Sequence, residues 1–375
     1  MSPKLSPDLP SEPADPKAPS SPPTSWSSTR AQVWWDDQPL PVGCNFIPST
    51  AINQLEMWQA ETFDLATIER ELGWGAGLGF NTMRIYLHDL LWEQDAQGFL
   101  SRMDQVLASA ESHGIRILFV LFDDVWNPNP RLGPQPEPHP GRHNSGWVQG
   151  PGLPALETYR EDPSIPARLE AYVRGVVSHF ADDARILMWD VYNEPGGYTH
   201  PGGDRVGEAC LPLLADVFDW TRSENPSQPL TSGLWWNPID PIPEAISNLQ
   251  LANSDVVSFH HYGAVEDLVD LIDRLEGITD RPLFCTEYLA RKMQSLFQTH
   301  LPIFRQRGIG AINWGLVSGR TQTIYPWWSW FKDERGPEPE SWFHDILRAN
   351  GTPFDPEEET FLRKFLEPQA DDTSR

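Results

Sequence analysis

The run RILMWDVYNEPGG, Arg185 to Gly197, decides how the rest of the chain is read. Ile186, Leu187, Met188, Trp189, Val191 and Tyr192 are apolar or aromatic, and Asp190 is the exception. So continuous an apolar run reads as a strand buried on both sides. It ends on Asn193, Glu194, Pro195 and two glycines, an abrupt exit that leaves the Glu194 side chain free.

Seven further runs of the same kind recur: LPVGCNFIP (40–48), FNTMRIYL (80–87), IRILFVLF (115–122), PLTSGLWW (229–236), DVVSFHHY (255–262), RPLFCTEY (281–288) and GAINWGLV (310–317). Helical periodicity fills the gaps, as in ARLEAYVRGVVSHF and VEDLVDLIDRLEG, and several of these stretches close on glycine as helix C-termini do. Strand and helix in alternation imply a parallel sheet with right-handed crossovers, and eight repeats imply closure. The predicted fold is therefore α/β, a single-domain (β/α)8 TIM barrel. An open doubly wound sheet is the structural alternative, but no glycine-rich phosphate loop follows the first strand. Residues 1–30 are rich in proline and serine and are expected to be a disordered tail; the catalytic barrel is assigned to 31–366 and a flexible C-terminal tail to 367–375. One connection departs from the pattern. From Asp123 to about Asp162 no helix is expected, and a loop of that length leaving the C-terminal end of a strand is usually functional.

Composition narrows the function. A formal net charge of -25 argues against nucleic acid and anionic membranes as partners, because the protein's own field repels them. Three cysteines with no CxxC give neither a disulfide framework nor a zinc site, and Cys44 and Cys285 sit in strand-like runs as small buried hydrophobes. The histidines form no HxH or HExxH pattern, so no metal and no cofactor is expected, and a metal-dependent barrel hydrolase is the weaker enzyme reading. No apolar run approaches the length of a membrane span. The N-terminus lacks an apolar signal core, which gives a cytoplasmic location as the expectation. Seventeen tryptophans suit the stacking of sugar rings, although core packing claims most of them.

With the strands placed, their C-terminal ends carry Asn45, Arg84, His88, Asp123, Asp124, Asn193, Glu194, His260, Tyr262, Glu287 and Trp314. In a barrel these ends converge on one mouth. Two glutamates across a mouth are the requirement of glycoside hydrolysis, one protonating the leaving oxygen and the other attacking the anomeric carbon or activating water. Each has an ordinary alternative: Glu194 as a helix N-terminal acid or surface ion-pair partner, His260 and Trp314 as core. Asp124 reads as the cap of a turn in the long loop. Asn45, Glu56 and Trp58, at and after the end of the first strand, are either substrate contacts or parts of a packed loop.

The set resembles glycoside hydrolase clan A and most of all glycoside hydrolase family 5, over about residues 36–350. The resemblance rests on the Arg in NTMRIYL, the Asn-Glu of YNEP, the His-x-Tyr of HHY, the Glu of CTEY and the Trp of INWG, in order and one per strand. It implies that Glu194 is the acid/base and Glu287 the nucleophile. It further implies that Asn193 binds the sugar 2-hydroxyl, that Arg84 and Tyr262 hold and aim Glu287, that His260 sits near the acid/base, and that Trp314 floors the reacting sugar. The family's histidine near the end of strand three is missing; Asp123 is expected in its place as a different sugar contact. The expected function is a retaining β-glycoside hydrolase acting on small or oligosaccharide substrates, exo-acting or oligosaccharide-trimming, because the long proline- and tryptophan-bearing loop, Trp126 included, narrows a cleft to a pocket and the lack of a signal core points to small, imported saccharides. An endo-acting β-1,4-glycanase and a non-catalytic carbohydrate-binding barrel are the alternatives. Double displacement requires the two carboxyl groups about 5 to 5.5 Å apart.

Overall fold

The computed structural model describes residues 24–235, 242–332 and 338–367. Eight strands form one sheet in the order β5-β4-β3-β2-β1-β8-β7-β6, every pairing parallel. They are β1 (Val42–Asn45), β2 (Thr82–Tyr86), β3 (Arg116–Val120), β4 (Ile186–Asp190), β5 (Leu230–Thr231), β6 (Val257–His260), β7 (Leu283–Tyr288) and β8 (Gly310–Trp314). Each lies inside one of the eight apolar runs. The seam between β5 and β6 is closed by a parallel bridge from Leu234 to Phe259. Backbone bonds flank it, from Asp255 N–H to the Leu230 carbonyl at 2.7 Å and from Leu234 N–H to the Ser258 carbonyl at 2.9 Å. The sheet is therefore a (β/α)8 barrel. Trp236, the last residue of the fifth run, lies outside the described residues.

Why the strands are apolar throughout is visible in β3. Ile117 and Phe119 face outward onto the helices and belong to the large outer core, while Leu118 and Val120 face the barrel interior with Met188, Phe284 and Ile312. A strand between two dry layers has no side left for water. Between strands the chain returns through helices such as Ser164–His179, Leu211–Ser223 and Val265–Glu276. The helix Phe297–Arg307 ends on Gly308 with φ 65°, a left-handed turn that feeds β8 directly.

Two expectations need correction. The packed unit begins before residue 31: Trp26 is buried and its N–H donates to Asp255 at 2.7 Å, and a helix runs from Ser28 to Asp36. That helix carries Trp35 into the barrel interior beside Phe284 at 5.5 Å, with its indole N–H on the Gly308 carbonyl. The prolines and serines upstream suggested a tail, but two tryptophans outweigh them once there is a barrel to bury them in. The long connection after β3 is also more ordered than a bare loop. It bridges back on itself at Asp123–Gly150 and Asn127–Val148 and carries a short helix, Leu153–Glu157. Among the described residues, no helix is long and apolar enough to cross a membrane.

Candidate active site

Arg84 is where the site is built from. It sits on β2, wholly buried, and all its nitrogens are engaged. Nη1 donates to Asn45 Oδ1 (2.7 Å), the Tyr86 hydroxyl (2.6 Å) and Glu287 Oε1 (2.8 Å). Nη2 donates to Asp190 (2.7 Å) and Asn193 Oδ1 (2.6 Å), and Nε to Asp190 again. One planar guanidinium thus ties the ends of β1, β2, β4 and β7 into a fixed frame. Asp190, the exception in the opening stretch, is its buried counter-ion. An arginine in this interior without one would be prohibitively costly.

Glu287 lies on β7 with both oxygens occupied. Oε1 accepts from Arg84 and from Tyr86 (2.9 Å); Oε2 accepts from Tyr262 (2.6 Å). Tyr86 was not singled out from the sequence, although its position two residues after Arg84 puts it on the same strand face.

Glu194 is held differently. It follows the end of β4 with φ 42°, left-handed, and its side chain is 18% exposed. Among the described residues its carboxyl makes one hydrogen bond, between Oε1 and His260 Nδ1 at 2.7 Å. Burial raises its carboxyl above the ordinary range, with the Glu287 charge adding to the rise and the His260 bond opposing it. The turn beyond is fixed by Asp124, which accepts from the Gly196 N–H and the Tyr192 hydroxyl, both at 2.7 Å, so Asp124 serves the turn after β4 rather than the expected turn of the long loop. Burial pushes the Asp124 carboxyl up to about 7. A side chain at Gly197 would meet the Asp124 and Glu194 carbonyls at 2.9 Å, which explains the second glycine.

A carboxylate oxygen of each glutamate and a ring nitrogen of His260 lie within 4.8 Å of one another. That is also metal-ligand spacing. However, the Glu287 oxygens are already taken, and the Arg84 charge 2.8 Å away opposes a cation there.

The pair opens onto a cavity of about 630 Å³ whose wall includes Asn193, His260, Tyr262, Trp314 and Trp126, all anticipated. Trp314 stands edge-on to Tyr86 at 5.9 Å and to Trp147 at 5.8 Å. Asn193 uses one amide hydrogen on Asp123 Oδ1 (2.9 Å), leaving its second for a ligand.

Asp123 and Asn45, expected as substrate-binding or supporting residues, are not on this wall. Asp123 is buried, accepting from Asn193, from Trp147 Nε1 (2.7 Å) and from the Val125 N–H (3.0 Å). Burial pushes its carboxyl well up, against those hydrogen bonds. Asn45 is buried too, between Arg84 and the Thr286 carbonyl (2.9 Å). Both stand one layer behind the ligand-facing groups and hold them in place. Trp58 is core, donating to the Tyr86 carbonyl (2.8 Å), and Glu56 accepts from Ile52 N–H (2.7 Å) and Arg320 (3.0 Å), so their loop is packing. His88 is buried as the cap of the helix Asp89–Ser112. The cavity wall also includes Trp147, His143 and Asn144 from the long loop and Trp327 and His344 from the segment after β8, none of which stood out in sequence because nothing local to them signals a wall.

The family model for cellulase (glycosyl hydrolase family 5) matches residues 53–323, a span holding every site residue from Arg84 to Trp314. The chain belongs to glycosyl hydrolase family 5. A probable mannan endo-1,4-beta-mannosidase A from Aspergillus flavus is 28% identical over 96 residues, 26% of this chain and 21% of that protein. A probable mannan endo-1,4-beta-mannosidase A-1 from Aspergillus terreus is 30% identical over 124 residues, 33% of this chain and 26% of that protein. The aligned segments thus span only about a fifth to a quarter of those curated relatives. Among solved structures, the endo-1,4-beta-D-mannanase of Thermotoga petrophila superposes with a TM-score of 0.53 at 16% identity, covering 87% of this chain and 99% of that one. The exo-beta-1,4-mannosidase of Opitutaceae bacterium strain TAV5 superposes with a TM-score of 0.56 at 18% identity, covering 92% and 61%. At such identities the likeness to family 5 structures is one of fold.

Proposed function

We propose that this family 5 protein is a retaining, exo-acting β-mannoside hydrolase that removes a terminal sugar from short β-linked oligosaccharides. The observation that carries exo action is the asymmetry of the cavity. At one end its wall is His143, Asn144, Trp147 and His344, all buried; at the other it is Asp267, Asp270 and Arg274 of the helix Val265–Glu276, all exposed. Glu194 and Glu287 line the same cavity. Glu194 must reach the leaving oxygen, and it leans on His260 of β6, the strand that leads to the open end. The departing chain therefore lies toward solvent and the reacting sugar toward the blind end. Mannose as the sugar rests on the names of the curated relatives and solved structures above.

In the first step a Glu287 oxygen attacks the anomeric carbon while the Glu194 proton passes to the glycosidic oxygen and the C–O bond breaks. In the second, Glu194, now the base, takes a proton from water, which displaces Glu287. The close approach of the two carboxylates supports this reading; an inverting pair stands about 6.5 to 9.5 Å apart to admit water. The Glu194 carboxyl, raised by burial, suits the acid role.

An endo-acting β-1,4-mannanase is the second reading, favoured by the relatives' names. Time courses on manno-oligosaccharides separate the two. Exo action releases mannose and the chain shortened by one from the first minutes, whereas internal cleavage yields mannobiose and mannotriose early. Nuclear magnetic resonance of the first sugar released should show the β-anomer; the α-anomer would overturn retention.

A further inference from the structure

The blind end of the cavity carries polar groups that the two-glutamate reaction does not use. His143 and His344 have ring centroids 5.3 Å apart. His344 lies 5.5 Å from the Tyr262 ring and 6.5 Å from Trp314, the residues that border the reacting sugar. Trp327 roofs both histidines, at 6.4 Å and 6.1 Å. The cluster is thus one ring removed from the catalytic centre.

Each imidazole is set from behind. His143 Nδ1 is 2.9 Å from the Tyr325 carbonyl, and His344 Nδ1 meets the Leu289 carbonyl. A carbonyl only accepts, so each Nδ1 carries the hydrogen and each Nε2 presents a lone pair. Burial lowers the His143 pKa to about 4 and that of His344 well below its ordinary value, so both rings are neutral at neutral pH. The backbone is pinned as well. His143 N–H donates to Ser329 Oγ (3.0 Å), its carbonyl accepts from Trp330 Nε1 (2.8 Å), and Asn144 N–H donates to the Thr321 carbonyl (2.8 Å). Asn144 is 2% exposed with φ 48°, and its Oδ1 has no hydrogen-bond partner among the described residues. A buried amide left unpaired is a cost that a ligand hydroxyl would remove.

We propose that His143, Asn144 and His344 form the recognition site for the 4-hydroxyl of the terminal sugar and thereby select a chain end over a chain interior. The inference rests on the glycosidase reading above and deepens it. With the anomeric carbon over Glu287 and the 2-hydroxyl toward Asn193, C4 lies across the pyranose ring from C1. It therefore points away from the leaving group, into the blind end. A hydroxyl there donates to an imidazole Nε2 and shares a hydrogen bond with the Asn144 amide. A sugar substituted at O4, as every interior residue of a 1,4-linked chain is, would place a second ring where these side chains stand.

The test compares the aryl β-glycoside that the wild type turns over best with its 4-deoxy analogue. Wild type is expected to lose about 10²-fold or more in kcat/KM on the analogue, because a site built to bind a hydroxyl is left unpaired without it. Asn144→Ala and His344→Gln are each expected to slow the parent substrate by about 10-fold or more and to bring the parent-to-analogue ratio down toward unity. The ratio is taken within one preparation, so any misfolded fraction cancels. A wild type indifferent to the missing hydroxyl, or variants that keep the wild-type ratio, would overturn the inference while leaving the glycosidase reading intact. Failure of wild type on every aryl β-glycoside would overturn both.

Discussion

Glu287 and Glu194 stand within one catalytic reach and are held in opposite ways. Glu287 is part of a regular strand, its side chain 6% exposed, with Arg84, Tyr86 and Tyr262 on its two oxygens. Glu194 lies beyond its strand in a left-handed conformation, three times as exposed at 18%, with His260 as the one partner of its carboxyl among the described residues. The difference matches the nucleophile and acid/base roles proposed for them. A nucleophile has to be aimed once, and rigidity serves it. An acid that becomes a base has to give a proton to a leaving oxygen and take one from water, so it needs an open face and a pKa near working pH.

The comparison is broken most directly by deleting each carboxylate. Glu287→Ala should lose at least about 10⁴-fold in kcat, and added azide should yield the α-glycosyl azide. Glu194→Ala should lose about 10² to 10⁴-fold on substrates with poor leaving groups and far less on dinitrophenyl glycosides, and azide should yield the β-azide. Identical azide stereochemistry from both variants would show that the roles are not divided as described. Tyr86→Phe takes one donor from Glu287 and should lower kcat by about 10-fold with little change in KM, since the aim of the nucleophile matters in the transition state. An effect confined to KM would place Tyr86 in binding instead.

A subtler contrast lies in pH dependence. Glu194 must be protonated to act first, so kcat/KM falls as pH rises through its raised pKa. The His260 hydrogen bond lowers that pKa, so His260→Ala should carry the alkaline limb to higher pH. A limb that moves down would contradict the pairing. The smallest expected effect is that of a chelator: dialysis against EDTA should leave the rate within about 2-fold, since three donors and the Arg84 charge already satisfy Glu287.

The stretch Arg185–Gly197 shows how much of this was legible. Its apolar run read as a barrel strand because burial on both faces leaves no alternation to mislead. Asn193 and Glu194 stood out because polarity at the end of such a run has to face something. Asp190 was noticed as an exception yet had no evident task, because its partner Arg84 is distant in sequence. Asn45 and Asp123 were placed at the right strand ends but at the wrong depth. Successive residues at a strand end alternate between lining a mouth and supporting it, and which does which depends on strand tilt and neighbouring side chains. The blind end was the least legible, because His143 comes from the loop after β3 and His344 from beyond β8. They meet only because the barrel brings both loops to one rim.

The sequence by itself determined the barrel and its family and singled out the two glutamates, since these depend on local patterns: buried runs, abrupt exits, and polar residues at run ends. Only the tertiary structure decided which residues frame Arg84, why Glu194 and Glu287 differ, and where the cavity closes. Those properties come from hydrogen bonds and contacts between segments about 200 residues apart or more, such as Arg84 with Glu287 or His143 with His344. Their energies depend on distance and burial, which exist only once the chain has closed on itself.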